Sequence, residues 1–180
     1  MGAGSADLFA LADEYLQACY QALADTPGGQ PDCYYVAPGN PAWDTCPCLI
    51  VHVGGPDIGQ TFPLQPALAP MFRVAVQGEV NIISLTATIL RCVPTLDETG
   101  HLPQPGAQNA ASQSTLADLW AIWNHVRQRV ADGSLFANQY DPQGRREFSF
   151  EPAVSVIGGG CGGWQIHIRV RLDGYKPATP

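Results

Sequence analysis

Charge is what this sequence has least of. Asp, Glu, Lys and Arg together make up 14% of its 180 residues, and the basic ones are the scarcer: nine against sixteen acidic, a formal net charge of −7. A protein that grips nucleic acid through released counterions needs basic residues clustered toward the phosphates. Here Arg145-Arg146 is the one adjacent basic pair, so such grip is excluded. Long apolar runs are also missing, since none approaches the roughly 18 residues that span a bilayer. The opening MGAGSADLF has neither a basic n-region nor an apolar h-region, and Ala6 stands where a myristoylation signal needs Ser or Thr. We therefore expect neither a membrane partner nor a lipid anchor. Catalytic signatures are lacking too: there is no Gly-x-Ser-x-Gly, no His-Glu-x-x-His and no cysteine in a recognisable nucleophile setting. The expectation is a non-enzyme with no catalytic residue, no cofactor and no metal.

What is present describes a sheet protein with long turns. Apolar residues reach 46%, with 19 Gly and 16 Pro, and the length suits one ample core, so residues 1–180 are read as a single domain. Glu79 to Val93, EVNIISLTATILRCV, reads as one long central strand, because its β-branched residues fit a pleated, half-buried surface. Its apolar parity slips at Ile82-Ile83, which predicts a bulge there. Ala6 to Leu23 places Leu8, Leu11, Ala12, Tyr15, Cys19, Ala22 and Leu23 at helical spacings, with Ser5 as N-cap and Thr26-Pro27-Gly28-Gly29 as the stop. Asp32 to Val36 and Cys48 to Val53 read as strands, the second apolar enough to be buried on both faces. Arg73 to Gln77 reads as a further strand.

Thr115 to Ala131 predicts a second helix, capped by Ser114 and closed by Asp132-Gly133, with Leu116, Leu119, Trp120, Trp123 and Val130 toward the sheet. The two tryptophans are read as core, and His125 as part of a solvated face. A strand from Phe148 through Val156 follows. Gly158-Gly159-Gly160-Cys161-Gly162-Gly163 is a hairpin turn rather than a phosphate loop, because no Gly-Lys-Ser/Thr follows and the next element is a strand. In that strand Trp164, Ile166, Ile168, Val170 and Leu172 alternate with Gln165, His167, Arg169, Arg171 and Asp173. One face is buried and the other is wet or pressed against a partner. The fold class is α+β: a mixed, mostly antiparallel sheet packed by two helices.

Two connections are long. Residues 54–72 carry four prolines yet stay apolar, and Phe62, Leu64, Leu68, Met71 and Phe72 are expected to dock on a neighbouring subunit or partner. With Arg145 and Arg146 they form the candidate interface. Residues 94–113 are a polar, turn-rich connection, and 176–180 a tail. His52 is read as a hydrogen-bonded structural histidine. Cys19 and Cys92 are read as buried thiols behaving as small hydrophobes. Cys33, Cys46, Cys48 and Cys161 could hold zinc or form a disulfide; the spacing lacks a second ligand pair, which favours the disulfide.

The order of elements, with the stretches CPCLIVHVGG, TATILRCVPTLDETG, ADLWAIWNHVRQRV and GGCGGWQIHIRVRLDGY, resembles the tail-terminator or tail-completion proteins of long-tailed (siphovirus-type) phages, especially those infecting actinobacteria. The resemblance covers most of the chain and implies a structural virion protein assembled in the host cytoplasm. Such a subunit forms a homo-oligomeric, hexameric ring on the head-proximal end of the tail tube. It touches the tail-tube protein and the head-tail connector or stopper, and lets genomic DNA pass through its channel without specific binding. The alternatives are another ring protein of the neck, a connector or stopper, and, from a different class, a small-molecule or metal-binding module built on His52, Cys46 and Cys48.

Overall fold

Two strands carry the architecture. The structure, a computed structural model, describes residues 5–39, 45–59, 80–96, 99–136 and 148–171. At its centre β3 (Val80–Cys92) and β6 (Cys161–Arg171) pair antiparallel, in unbroken register from Ile82↔Arg171 to Cys92↔Cys161. β2 (Cys48–Gly59) pairs antiparallel with the other side of β3. β1 (Cys33–Ala37) adds a parallel edge beside β2. The far edge is shared by β4 (Phe148–Phe150) and β5 (Val154–Gly158), both antiparallel to β6. The result is a six-stranded mixed sheet in the order β1-β2-β3-β6-β4, with β5 also on β6. With two helices on one face, it is an α+β domain.

The bulge is on β2 and not on β3. Val53 pairs with Leu85 and Pro56 with Ile83, so Gly54 and Gly55 oppose Ser84 alone. The parity slip at Ile82-Ile83 has another cause: β3 is buried on both faces, and Ile82 and Ile83 are each fully buried on opposite sides. A central strand does not need alternation.

The helices, α1 (Ser5–Ala22) and α2 (Pro105–Asp132), cover one face. Leu11, Tyr15 and Cys19 of α1 and Ile122, Val126 and Val130 of α2 pack with Leu49, Val51, Ile83, Leu85, Ala87, Ile89, Ile166, Ile168 and Val170 in the main core. The buried Tyr15 hydroxyl donates to the Ile166 carbonyl at 3.1 Å, so this polar atom of α1 is satisfied within the core. Cys19 is fully buried, as read.

α2 begins ten residues earlier than its sequence suggests. Gln104 is the N-cap, without a side-chain cap bond, and Pro105 occupies the first turn, where a missing N–H costs nothing. Ser114 and Thr115 lie inside the helix. Its C-terminus is as expected: Gly133 is left-handed at φ 83° and its N–H reaches the Val130 carbonyl. The inward stripe is Asp118, Ile122, Val126 and Val130. Trp123 leans on Phe150 with ring centroids 5.1 Å apart, whereas Leu116 and Trp120 point outward.

The strand expected from Phe148 through Val156 is broken between β4 and β5, where Glu151 N–H donates to the His167 carbonyl. The hairpin from β5 to β6 is a two-residue turn. Gly159 and Gly160 have φ of 57° and 78°, both in the left-handed region that glycine adopts without penalty and that a twisted hairpin requires. The expected strand at Arg73 to Gln77 and the tail lie outside the described residues, as does the 54–72 connection beyond Gly59.

Candidate assembly surfaces

The candidate interface residues Phe62, Leu64, Leu68, Met71, Phe72, Arg145 and Arg146 all lie outside the described residues. The described surface offers other apolar side chains, at opposite edges of the sheet. On β1, Tyr34 and Tyr35 are 42% and 44% exposed, one on each face, with Tyr34 stacked on Tyr20 of α1 at 4.3 Å. At the other edge Val154 and Ile157 of β5 are 50% and 79% exposed, and Leu116 and Trp120 stand out from α2 on the same side. Among the described residues β1 pairs only with β2, and β5 only with β6, so each leaves one row of backbone groups without a strand partner. Both strands are five residues long.

Beside β5, the first half of α2 stands off the sheet and leaves a groove of about 410 Å³, lined by Val93, Ala111, Thr115, Ile157 and Trp164 among others. Ser155 and Ile157 point to the helix-covered face, because their register partners are Trp164 and Gly162. The groove is thus open toward the β5 edge. None of its described lining residues carries an ionisable side chain.

The face of the sheet away from the helices is unlike the core. A small apolar cluster of Ala37, Cys48, Ile50, Leu90, Val156 and Cys161 occupies one end. Toward the middle runs a polar row across three strands, His52, Thr86 and His167, which are register partners. The Thr86 hydroxyl and His167 Nδ1 are 2.9 Å apart. His52, read as a hydrogen-bonded structural histidine, is buried, and its Nδ1 has no hydrogen-bond partner among the described residues. Burial lowers the proton affinity of both rings, and the nearby His167 lowers that of His52 further. Past this row Arg169 meets Glu151 at 2.6 Å. His125, read as solvated, is half-buried, its Nε2 has no hydrogen-bond partner among the described residues, and burial lowers its pKa as well.

Cys33 and Cys48 are joined in a disulfide that ties β1 to β2. This realises the expected disulfide and removes Cys48 from any ligand set, so a metal-binding module on His52, Cys46 and Cys48 loses one of its three donors. Among the described residues no group of three or more His, Cys, Asp or Glu side chains is placed to hold a metal ion. Nor is any described helix long and apolar enough to cross a membrane. Cys92, read as a buried thiol, is exposed.

Nothing local marks Tyr34, Tyr35, Trp120 or Ile157 as surface features. Trp120 and Trp123 have equal claim to a core stripe by spacing, and edge position is a property of the whole sheet. Compared with protein-family models and with curated proteins, the chain matches none.

Proposed function

We propose that the protein is a structural subunit of a phage tail, the terminator that closes the head-proximal end of the tail tube as a ring and joins it to the head connector. The observation that carries this reading is the pair of unlike apolar edges at opposite ends of one sheet. A closed ring is built from heterologous contacts, in which each copy offers two different surfaces to its two neighbours. The β1 edge with Tyr34 and Tyr35, and the β5 edge with Ile157 and the outward side of α2, are two such surfaces. Setting β1 of one copy against β5 of the next continues the sheet around the ring and pairs two five-residue strands. In that arrangement Tyr34, on the helix side, falls beside Ile157 and the groove, and Trp120 covers the junction.

The weakly charged, net acidic chain suits the rest of the reading. A channel lined by acidic rather than basic groups repels DNA phosphates and lets the genome slide. The ring number of six, the tail-tube partner and the virion location come with the family resemblance.

Replacing Trp120 or Ile157 by Asp, with folding checked by circular dichroism, is expected to abolish ring formation seen by light scattering in the presence of tail tubes. Rings that form equally well in both edge variants would remove the proposed contact. A ring that binds the head connector but ignores tubes would instead place the protein among the connectors and stoppers.

A further inference from the structure

At the end of the sheet where β3 finishes and β6 starts, three thiols stand in one cross-strand row. Cys92 and Cys161 are register partners. The adjacent pair, Val93 and Gly160, carries a backbone hydrogen bond, so Cys92 and Cys161 occupy a non-hydrogen-bonded position, where opposite side chains come closest. On the other side of Cys92, the β2–β3 register that pairs Cys48 with Leu90 brings the residue two before Cys48 opposite the residue two after Leu90. These are Cys46 and Cys92. Their sulfurs are 2.7 Å apart, and the Cys92 thiol also donates to the Cys46 carbonyl at 3.0 Å. The next row inward is the Cys33–Cys48 disulfide.

We propose that Cys46 and Cys92 are a modification site that closes to a second intramolecular disulfide, with Cys161 remaining a thiol beside it. The proposal is independent of the ring reading. The two rows then clamp β1 to β2 and the approach to β2 onto the end of β3, beside the small apolar cluster on the helix-free face.

The chemistry divides between an exposed and a less exposed sulfur. Cys92 is the exposed member and meets the oxidant, a small-molecule disulfide such as oxidised glutathione. Burial, with Cys161 and Cys92 close by, pushes the Cys46 thiol well above its usual range, so Cys46 holds its proton while Cys92 reacts first. The Cys92 thiolate attacks one glutathione sulfur; the glutathione S–S bond breaks, and one glutathione leaves as thiolate and takes up a proton. Cys46 then releases its proton and attacks the Cys92 sulfur, expelling the second glutathione. Two protein thiols have lost two electrons and two protons, and one glutathione disulfide has become two glutathione thiols.

The test is differential alkylation and peptide mapping by mass spectrometry on the full chain, as isolated and after treatment with oxidised glutathione. The expected result is a monomer with one disulfide beyond Cys33–Cys48, joining Cys46 to Cys92, with Cys19 and Cys161 alkylated after denaturation. Cys46→Ser should prevent the new bond and leave glutathione on Cys92, whereas Cys161→Ser should not affect closure. Four alkylated cysteines after treatment, a Cys92–Cys161 bond, glutathione retained on Cys92 of the unsubstituted chain, or a Cys92-linked dimer would each overturn the proposal.

Discussion

Arg91, the last inward residue of β3, holds three segments at once. Its Nε donates to Asp118 Oδ2 at 2.7 Å and its Nη2 to Oδ1 at 3.2 Å, while Nη1 and Nη2 reach the carbonyls of Gly28 and Gly29 at 2.9 and 2.6 Å. The pair is buried, Asp118 entirely so. Such a pair adds little net stability over an apolar replacement, but removing one partner strands a buried charge. Asp118→Ala is therefore expected to cost about 3–5 kcal/mol, read as a lowered urea midpoint; a loss no larger than that of a surface substitution would show that the ion pair does not organise this corner. Sequence alone could not pair these residues. Arg91 and Asp118 are 27 residues apart on different elements, and nothing local says that they meet. Cys19 was legible because helical spacing put it on the inward face of α1. Cys92 was not, because its exposure depends on where the strand ends relative to its neighbours.

At the level of elements, local chemistry fixed type better than extent. The Gly-rich hairpin and the end of α2 at Gly133 follow from turn and cap preferences, and α1 follows from helical spacing. The first turns of α2 do not, since Pro103, Pro105 and Gly106 read as loop until one sees that Pro105 opens the helix. The break between β4 and β5 has no marker beyond Pro152. Elements also create features that no single residue carries, such as the His52–Thr86–His167 row made by the registers of β2, β3 and β6. Both histidines bind protons less readily when folded than at their ordinary value of 6.5. Below that value the unfolded chain binds more protons than the native one, so stability rises with pH across the window. It is complete above about 6.5 and lost as pH falls through the lower folded values. Glu14, raised by burial, acts oppositely, its contribution being lost as pH rises from 4.5 through its folded value. The isolating measurement is thus the urea midpoint of the protein against that of His52→Gln/His167→Gln at pH 8 and pH 5. The unsubstituted protein should lose more than the double variant on acidification, and an equal or smaller loss would contradict the row's assignment.

For the whole molecule, the fold class was legible because strand-type and helix-type periodicities are both strong and occur in an order that one sheet can accommodate. The proposed assembly surface was not. It resides in which strands become edges, and β1 became one by pairing parallel to β2, a choice that its five residues do not encode by themselves. The sequence pointed for contacts to the apolar 54–72 connection, which the described residues do not reach beyond Gly59; the sheet points to its own two ends. Together they define a subunit with unlike sides, and the central claim is that those sides close a ring at a tube end. The direct measurement is the mass of the purified protein by light scattering across a concentration series, alone and with tail tubes, together with the length of tubes grown in its presence. The expected result is a ring-sized species on tube ends and tubes that stop at a defined length. A protein that stays monomeric with tubes, while they grow without limit, would contradict it.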